Sequence, residues 1–130
     1  ARTDAIATRG LDDAIKRMQS FSKLGVDILF IEAVKNKEDM KRIIKEVPGH
    51  HMLNLIEDGE TPLLQINEIE EIGYKIAVMP LTLMSASVKT MQECLNNMKN
   101  KIYNKNVSKF SDLRDIVGFN EYYDIEDKYK

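Results

Sequence analysis

The chain of 130 residues contains a single cysteine, Cys94. One thiol forms neither an internal disulfide nor a thiolate zinc cluster, so the sequence is read as that of an intracellular, cytoplasmic protein. There is no excess of positive charge: 19 Lys and Arg stand against 21 Asp and Glu, a net −2, with a pI of about 5.7. A nucleic-acid-binding domain usually carries a basic patch and a pI above roughly 9, so no nucleic-acid partner is expected. Long hydrophobic runs are also missing. Ile28-Leu29-Phe30-Ile31 is among the longest, whereas a membrane helix needs about 20 apolar residues. No internal repeat or low-complexity segment occurs. Ala1 to Ala5 holds neither an initiator Met nor an apolar signal region, and is read as the interior of a longer chain. What is present is a globular balance, 43% hydrophobic and 31% charged, which excludes a wholly disordered chain. The length suits one domain or a piece of a larger one.

Hydrophobic spacing sets the order of elements. Leu11, Ala14, Ile15, Met18, Phe21 and Leu24 share one helix face, with Asp12 and Asp13 in the first turn, where the helix dipole favours anions, and Gly25 as the stop. Val26 to Ala33 is a short β-branched and aromatic run without clean alternation, as in a strand covered on both faces. A second helix begins at Asn36, an N-cap with Asp39 three residues on, carries Met40, Ile43, Ile44 and Val47, and stops at Pro48-Gly49. Residues 51–56 form the next strand, followed by a polar turn-rich loop from Glu57 to Pro62. Ile66, Ile69 and Ile72 line a short helix closed by Gly73, and 74–79 is a strand ending at Pro80. The longest helix, about 82–101, carries Met84, Val88, Met91, Leu95, Met98 and Ile102 at heptad spacing. Two weaker helical stretches follow, 108–117 and 120–129. This alternation predicts an α/β fold with parallel strands and crossover helices. With Ala1–Asp4 as a strand end, it gives four βα units, half of a (β/α)8 barrel. The expected division is 1–103 for the half-barrel and 104–130 for a helical tail.

Four places interrupt an apolar strand or its end with a polar group: Arg2-Thr3-Asp4, Glu32, Asn54 and Pro80-Leu81-Thr82. They fall at equivalent points of successive βα units, and in βα barrels chemistry sits at strand C-termini. Arg2 taken alone is an ordinary surface residue; at a strand end beside a carboxylate it becomes a fork for a substrate carboxylate. Glu32 either caps a helix or orients an Arg or a metal-bound water. Asn54 either satisfies a backbone group or donates to an anionic intermediate. His50-His51 precedes a strand, at the end of the sheet that serves stability. Cys94 reads as a small buried hydrophobe, the Met-rich stripe as packing, and Lys35 to Lys45 as a solvated helix face.

At these residues the sequence resembles the isocitrate lyase / phosphoenolpyruvate mutase superfamily. The matching motifs are ARTDA at 1–5, GLDDAIKR at 10–17, GVDILFIEA at 25–33, N-x-x-E-x-G-x-T-P from Asn54 to Pro62, GYKIAVMPLTLM at 73–84 and LRDIVGFNEYYDIEDKY at 113–129. The resemblance implies the C-terminal half of a helix-swapped (β/α)8 TIM barrel. It implies a magnesium-dependent carbon–carbon lyase acting on small 2-hydroxy or 2-oxo acids. The family's K-K-C-G-H loop, its catalytic cysteine and its magnesium carboxylates would lie upstream, so no catalytic residue and no direct metal ligand is expected in these residues, and Cys94 is not that cysteine. The 130 residues alone are accordingly expected to show no turnover and to bind magnesium poorly. Carried over by position, Arg2 matches the arginine that binds the substrate carboxylate. Glu32 matches a glutamate near metal and substrate, reaching the metal through water. Asn54 matches an asparagine that touches substrate, and Arg114 a tail arginine that reaches it in methylisocitrate lyases. Two departures argue against a tricarboxylate: Ser85 stands where methylisocitrate lyases have Arg, and Ile56 where they have Thr. The implied partners are a small carboxylate substrate, the N-terminal half of the barrel and further copies of the chain, joined by the swapped long helix. A phosphoenolpyruvate mutase or phosphonopyruvate hydrolase relative, and a non-catalytic half-barrel used for assembly, are the rival readings.

Overall fold

A computed structural model describes all residues, 1–130. The chain forms two compact units, Ala1–Ser87 and Val88–Lys130. The first contains β1 (Arg2–Thr3), α1 (Ala5–Arg9), α2 (Leu11–Lys23), β2 (Ile28–Ile31), α3 (Lys37–Glu46), β3 (His50–Asn54), α4 (Ile66–Ile72) and β4 (Ile76–Val78), then the start of α5 (Thr82–Lys99). The strands form one four-stranded sheet in the order β1-β2-β3-β4, every pair parallel. Successive parallel neighbours joined by helices are the expected half of a (β/α)8 barrel.

Local chemistry fixes the helix limits. The Asn36 side chain accepts the Asp39 backbone N–H at 2.8 Å, which starts α3 where the sequence placed its cap. Leu24 and Gly25 donate to the carbonyls of Phe21 and Ser22, each at 3.0 Å, and Gly25 takes a left-handed φ of 77° that ends α2. At Gly49 (φ 133°) the requirement is space, since an added Cβ would lie 2.8 Å from Leu29 Cδ1. The helix at Ala5–Arg9 was not expected, and the strands are shorter than the apolar runs that announced them.

The core lies between the helices and one face of the sheet. Leu29 and Ile31 of β2 and Leu53 and Leu55 near β3 pack against Ala14, Ile15 and Met18 of α2, Met40 and Ile43 of α3, and Ile69 of α4. The helices of the first unit cover that face; on the other, Ile28 is exposed and Phe30 is buried. His51 is buried on the helix side, its Nε2 2.8 Å from the Val47 carbonyl. The Tyr74 ring meets it edge-on at 6.2 Å between centroids. Burial holds the His51 imidazole below its usual pKa, against the opposing effect of its Val47 hydrogen bond. Its structural role at the start of β3 agrees with the sequence reading.

The second unit holds the rest of α5, α6 (Phe110–Ile116) and α7 (Phe119–Asp127). Helix α5 buries none of its residues; Met84, Val88, Met91, Leu95, Met98 and Ile102 are all exposed. Cys94 is half-buried, with its carbonyl accepting from the Asn104 side chain at 3.4 Å. The rings of Phe119 and Tyr123 lie 6.3 Å apart on α7. No helix is long and apolar enough to cross a membrane.

Candidate functional site

Strand register places the polar residues. In a parallel ladder, paired residues point to the same face and the face repeats every second residue. Arg2 pairs with Phe30, Phe30 with Met52 and Met52 with Ile76. This row lies on the face away from the helices. Two residues further along each strand come Asp4, Glu32, Asn54 and Val78, the last two a direct pair. Three of the four successive βα units therefore end in a polar side chain on one face at one end of the sheet.

Glu32 Oε2 is the junction. It lies 3.2 Å from Arg2 Nη2 and accepts from Asn54 Nδ2 at 3.3 Å. Arg2 Nε donates to Asp4 Oδ1 at 2.9 Å, and its guanidinium sits 5.3 Å from the centroid of the Phe30 ring, a cation–π distance. The chain Asp4–Arg2–Glu32–Asn54 spans β1, β2 and β3. Arg2 keeps donors beyond these contacts, since a guanidinium offers five N–H groups. Asn54 likewise keeps a second amide hydrogen and its oxygen. One fixed cation and one fixed amide on a shared carboxylate are suited to receiving a small carboxylate and stabilising charge that develops on it.

The contacts of Glu32 and Asn54 differ from the purely structural alternatives weighed for them. Glu32 does not cap a helix, because α3 is capped by Asn36. The Asn54 amide donates to the Glu32 side chain rather than to a backbone group. Backbone strain marks the same place: Ala33, directly after Glu32, takes φ 59°, a left-handed conformation uncommon outside Gly, Asn and Asp. Such outliers concentrate at functional sites.

Pro80-Leu81-Thr82 does not join this chain of contacts. Thr82 Oγ1 donates instead to Glu57 Oε1 at 2.6 Å. That hydrogen bond, with one from its own backbone N–H, holds the Glu57 carboxyl below its usual pKa. Glu57 was not singled out in the sequence except within its motif; only its position three residues after Asn54 pointed to it. Arg114 lies on α6 in the second unit, its guanidinium 5.5 Å from the Tyr123 ring centroid. It lines an open cavity of about 520 Å³ with Phe110, Leu113, Val117, Phe119 and Tyr123. Ser85 and Ile56 lie on the first turn of α5 and after β3.

No three His, Cys, Asp or Glu side chains gather to hold a metal ion. Asp4 and Glu32, the carboxylates of the strand-end row, are both turned to Arg2. These residues do not fit a direct magnesium site, which needs octahedral oxygen ligation from carboxylates and water.

The family model described as phosphoenolpyruvate phosphomutase matches residues 1–99. The chain is 35% identical to 2,3-dimethylmalate lyase of Eubacterium barkeri over 133 aligned residues, covering 99% of this chain and 46% of that protein. It is 31% identical to 2-methylisocitrate lyase of Bacillus subtilis (strain 168), covering 99% of this chain and 41% of that protein. A crystal structure of 2,3-dimethylmalate lyase superposes with a TM-score of 0.83 at 25% identity, over 100% of this chain and 47% of that one. Oxaloacetate acetylhydrolase in complex with oxalate shares the fold, with a TM-score of 0.86 at 20% identity, over 99% of this chain and 46% of that one. The chain thus spans about half the length of the curated relatives it matches.

Proposed function

The chain belongs to the phosphoenolpyruvate phosphomutase family, within the isocitrate lyase / phosphoenolpyruvate mutase superfamily, and on that premise we propose that it is the C-terminal part of a carbon–carbon lyase. The substrates are small 2-hydroxy or 2-oxo acids: dicarboxylates of the 2,3-dimethylmalate or oxaloacetate type, ahead of the tricarboxylate methylisocitrate, which Ser85 and Ile56 disfavour. The observation that carries this reading is the convergence of Arg2 and Asn54 on one Glu32 oxygen at the strand C-termini. The names of the relatives supply the reaction class.

In this reading a base removes the proton of the C2 hydroxyl, which a 2-hydroxy acid carries itself and a 2-oxo acid gains by adding water to its carbonyl. The adjacent C–C bond then breaks, and its electron pair becomes an enolate-like anion on the departing fragment. Arg2 binds the substrate carboxylate. Asn54 donates to the developing negative charge, and Glu32 holds both donors in place. Arg114 is assigned to substrate from the tail. Magnesium is the cofactor proposed for the whole protein, with ligands outside these residues, where it would supply Lewis-acid polarisation of a substrate oxygen; Glu32 would serve it at most through a water. The acid that reprotonates the product belongs to the upstream half, which completes the barrel. Residues 1–103 form this half of the barrel and 104–130 its tail. The exposed stripe of α5 supports assembly of copies through that helix, and the proposed compartment is the cytoplasm.

The description of the matching family model favours a second reading, phosphoryl migration or hydrolysis on a phosphonate. The test is turnover by the protein expressed from its full reading frame, after an intact mass near twice 15.0 kDa has shown that an upstream half is present. Cleavage of 2,3-dimethylmalate, oxaloacetate or methylisocitrate with magnesium is the expected result. Turnover of phosphonopyruvate alone would overturn the lyase reading.

A further inference from the structure

The polar chain across the strand ends stops at β3, because the fourth strand offers Val78 at the equivalent place. A separate contact reaches the fourth unit. The loop 55–65 leaves directly after Asn54, and its Glu57 accepts the Thr82 hydroxyl at 2.6 Å at the first residue of α5. On its other side the same loop meets its neighbour through Glu60 and Lys35, 3.8 Å apart. Between these ties lies a tight turn. Gly59 N–H donates to the Ile56 carbonyl at 3.0 Å, and Asp58 takes a left-handed φ of 61°. A Cβ added at Gly59 would lie 2.9 Å from that carbonyl oxygen and 3.1 Å from Ile56 Cβ. A left-handed residue other than glycine persists where its surroundings over-determine it.

We propose that Thr82 and Glu57 are positioning residues for Asn54. The Thr82 hydroxyl holds the Glu57 carboxylate. Glu57 anchors the turn 56–59, and the anchored turn fixes the end of β3, so that the Asn54 amide faces Glu32 before any ligand arrives. This rests on the reading of Asn54 as a substrate-binding residue. Glu57 itself touches no substrate. Without the anchor, the loop is ordered only on binding, and that ordering is subtracted from affinity rather than from the chemical step.

The test uses the protein from its full reading frame, with Thr82→Val removing the hydroxyl at nearly constant shape and Thr82→Ser restoring it. The probe is oxalate in the presence of magnesium, followed by calorimetry, with hydrogen exchange of the backbone as the second readout. For Thr82→Val the expected results are a roughly tenfold weaker Kd for oxalate and at least about tenfold faster exchange of amides 56–59. Amides of β2 should be unchanged, and KM should rise while kcat stays within about threefold. Thr82→Ser should return both readouts to within about twofold of wild type. Faster loop exchange with unchanged affinity would make the contact merely structural and overturn the proposal, as would no change in either. A wild-type protein that binds no oxalate and cleaves no small acid would refute the proposed function together with this inference. Wild-type binding with an indifferent Thr82→Val refutes this inference alone.

Discussion

Glu32→Gln separates what the strand-end chain does for folding from what it does for chemistry. The substitution keeps the shape and an acceptor oxygen and removes the charge. Both contacts fall on Oε2, from Arg2 at 3.2 Å and from Asn54 at 3.3 Å. The side chains of Arg2 and Glu32 are 56% and 25% exposed, so the ion pair stabilises the fold by about 0–1 kcal/mol. The amide oxygen of Gln still accepts from Asn54, which preserves a hydrogen bond of about 1 kcal/mol. The folding loss therefore stays below about 1 kcal/mol, a fall in Tm of no more than about 2–4 °C in the protein from its full reading frame, which the rate assay requires. On the proposed function, catalysis suffers more. Arg2 keeps Asp4 but loses one of the two carboxylates that fix its plane, and a displacement of about 1 Å in a positioning group costs on the order of 100-fold in rate. The assay pairs a thermal melt with kcat/KM for cleavage of the preferred acid. A Tm lowered by far more than about 4 °C, or a kcat/KM within about threefold of wild type, would refute the assignment.

Three further outcomes follow from the packing. His51 has a folded-state pKa below its ordinary value of about 6.5, so its contribution to stability is complete above that pH and is lost as pH falls through the lower folded value. Denaturant midpoints should drop between pH 7.5 and 5.5, and His51→Leu should flatten that drop; an equal drop in the variant would show that another group is responsible. Gly49→Ala meets Leu29 Cδ1 at 2.8 Å with φ 133°, whereas Gly25→Ala meets nothing within 4 Å at φ 77°. Expected losses by chemical denaturation are about 2–4 kcal/mol for the former and about 1 kcal/mol for the latter, and equal losses would contradict the close approach. Met91→Asp with Leu95→Asp, placed at exposed positions of the α5 stripe, tests the proposed assembly through that helix: the mass seen by light scattering should fall, and an unchanged mass would exclude the stripe as an interface.

Local signals made much of the fold legible in the sequence. Asn36 with Asp39, Gly25 and Gly73 each act within a few residues, and each marks a helix end as expected. The helix Ala5–Arg9 escaped because its few residues are too short to display a period. Strand limits were overestimated because apolar character continues where ladder pairing stops, as at Val26 and Tyr74. Strand-end position was enough to single out Arg2, Glu32 and Asn54, whose side chains the structure brings into contact. The contact between Glu57 and Thr82 links residues 25 apart in sequence, and no spacing rule reports it. Nor does an alanine announce a left-handed backbone, so the strain at Ala33 was invisible. Arg114 rests on motif position, because its surroundings in the second unit are aromatic.

That strain has a consequence for how the sequence can drift. At φ 59° Ala33 occupies a conformation that β-branched residues adopt only at high cost. Val, Ile and Thr are thereby closed to position 33 even though the next residue, Val34, and Ile31 two positions earlier are of that kind. Gly, Asn and Asp remain open. A random walk through neutral substitutions would leave Glu32 followed by a small or turn-forming residue, long after the apolar residues around it had been exchanged. In a library of all single replacements at position 33, survivors should sort by their tolerance of positive φ and not by hydrophobicity. That sorting would make a backbone angle readable from sequence counts alone.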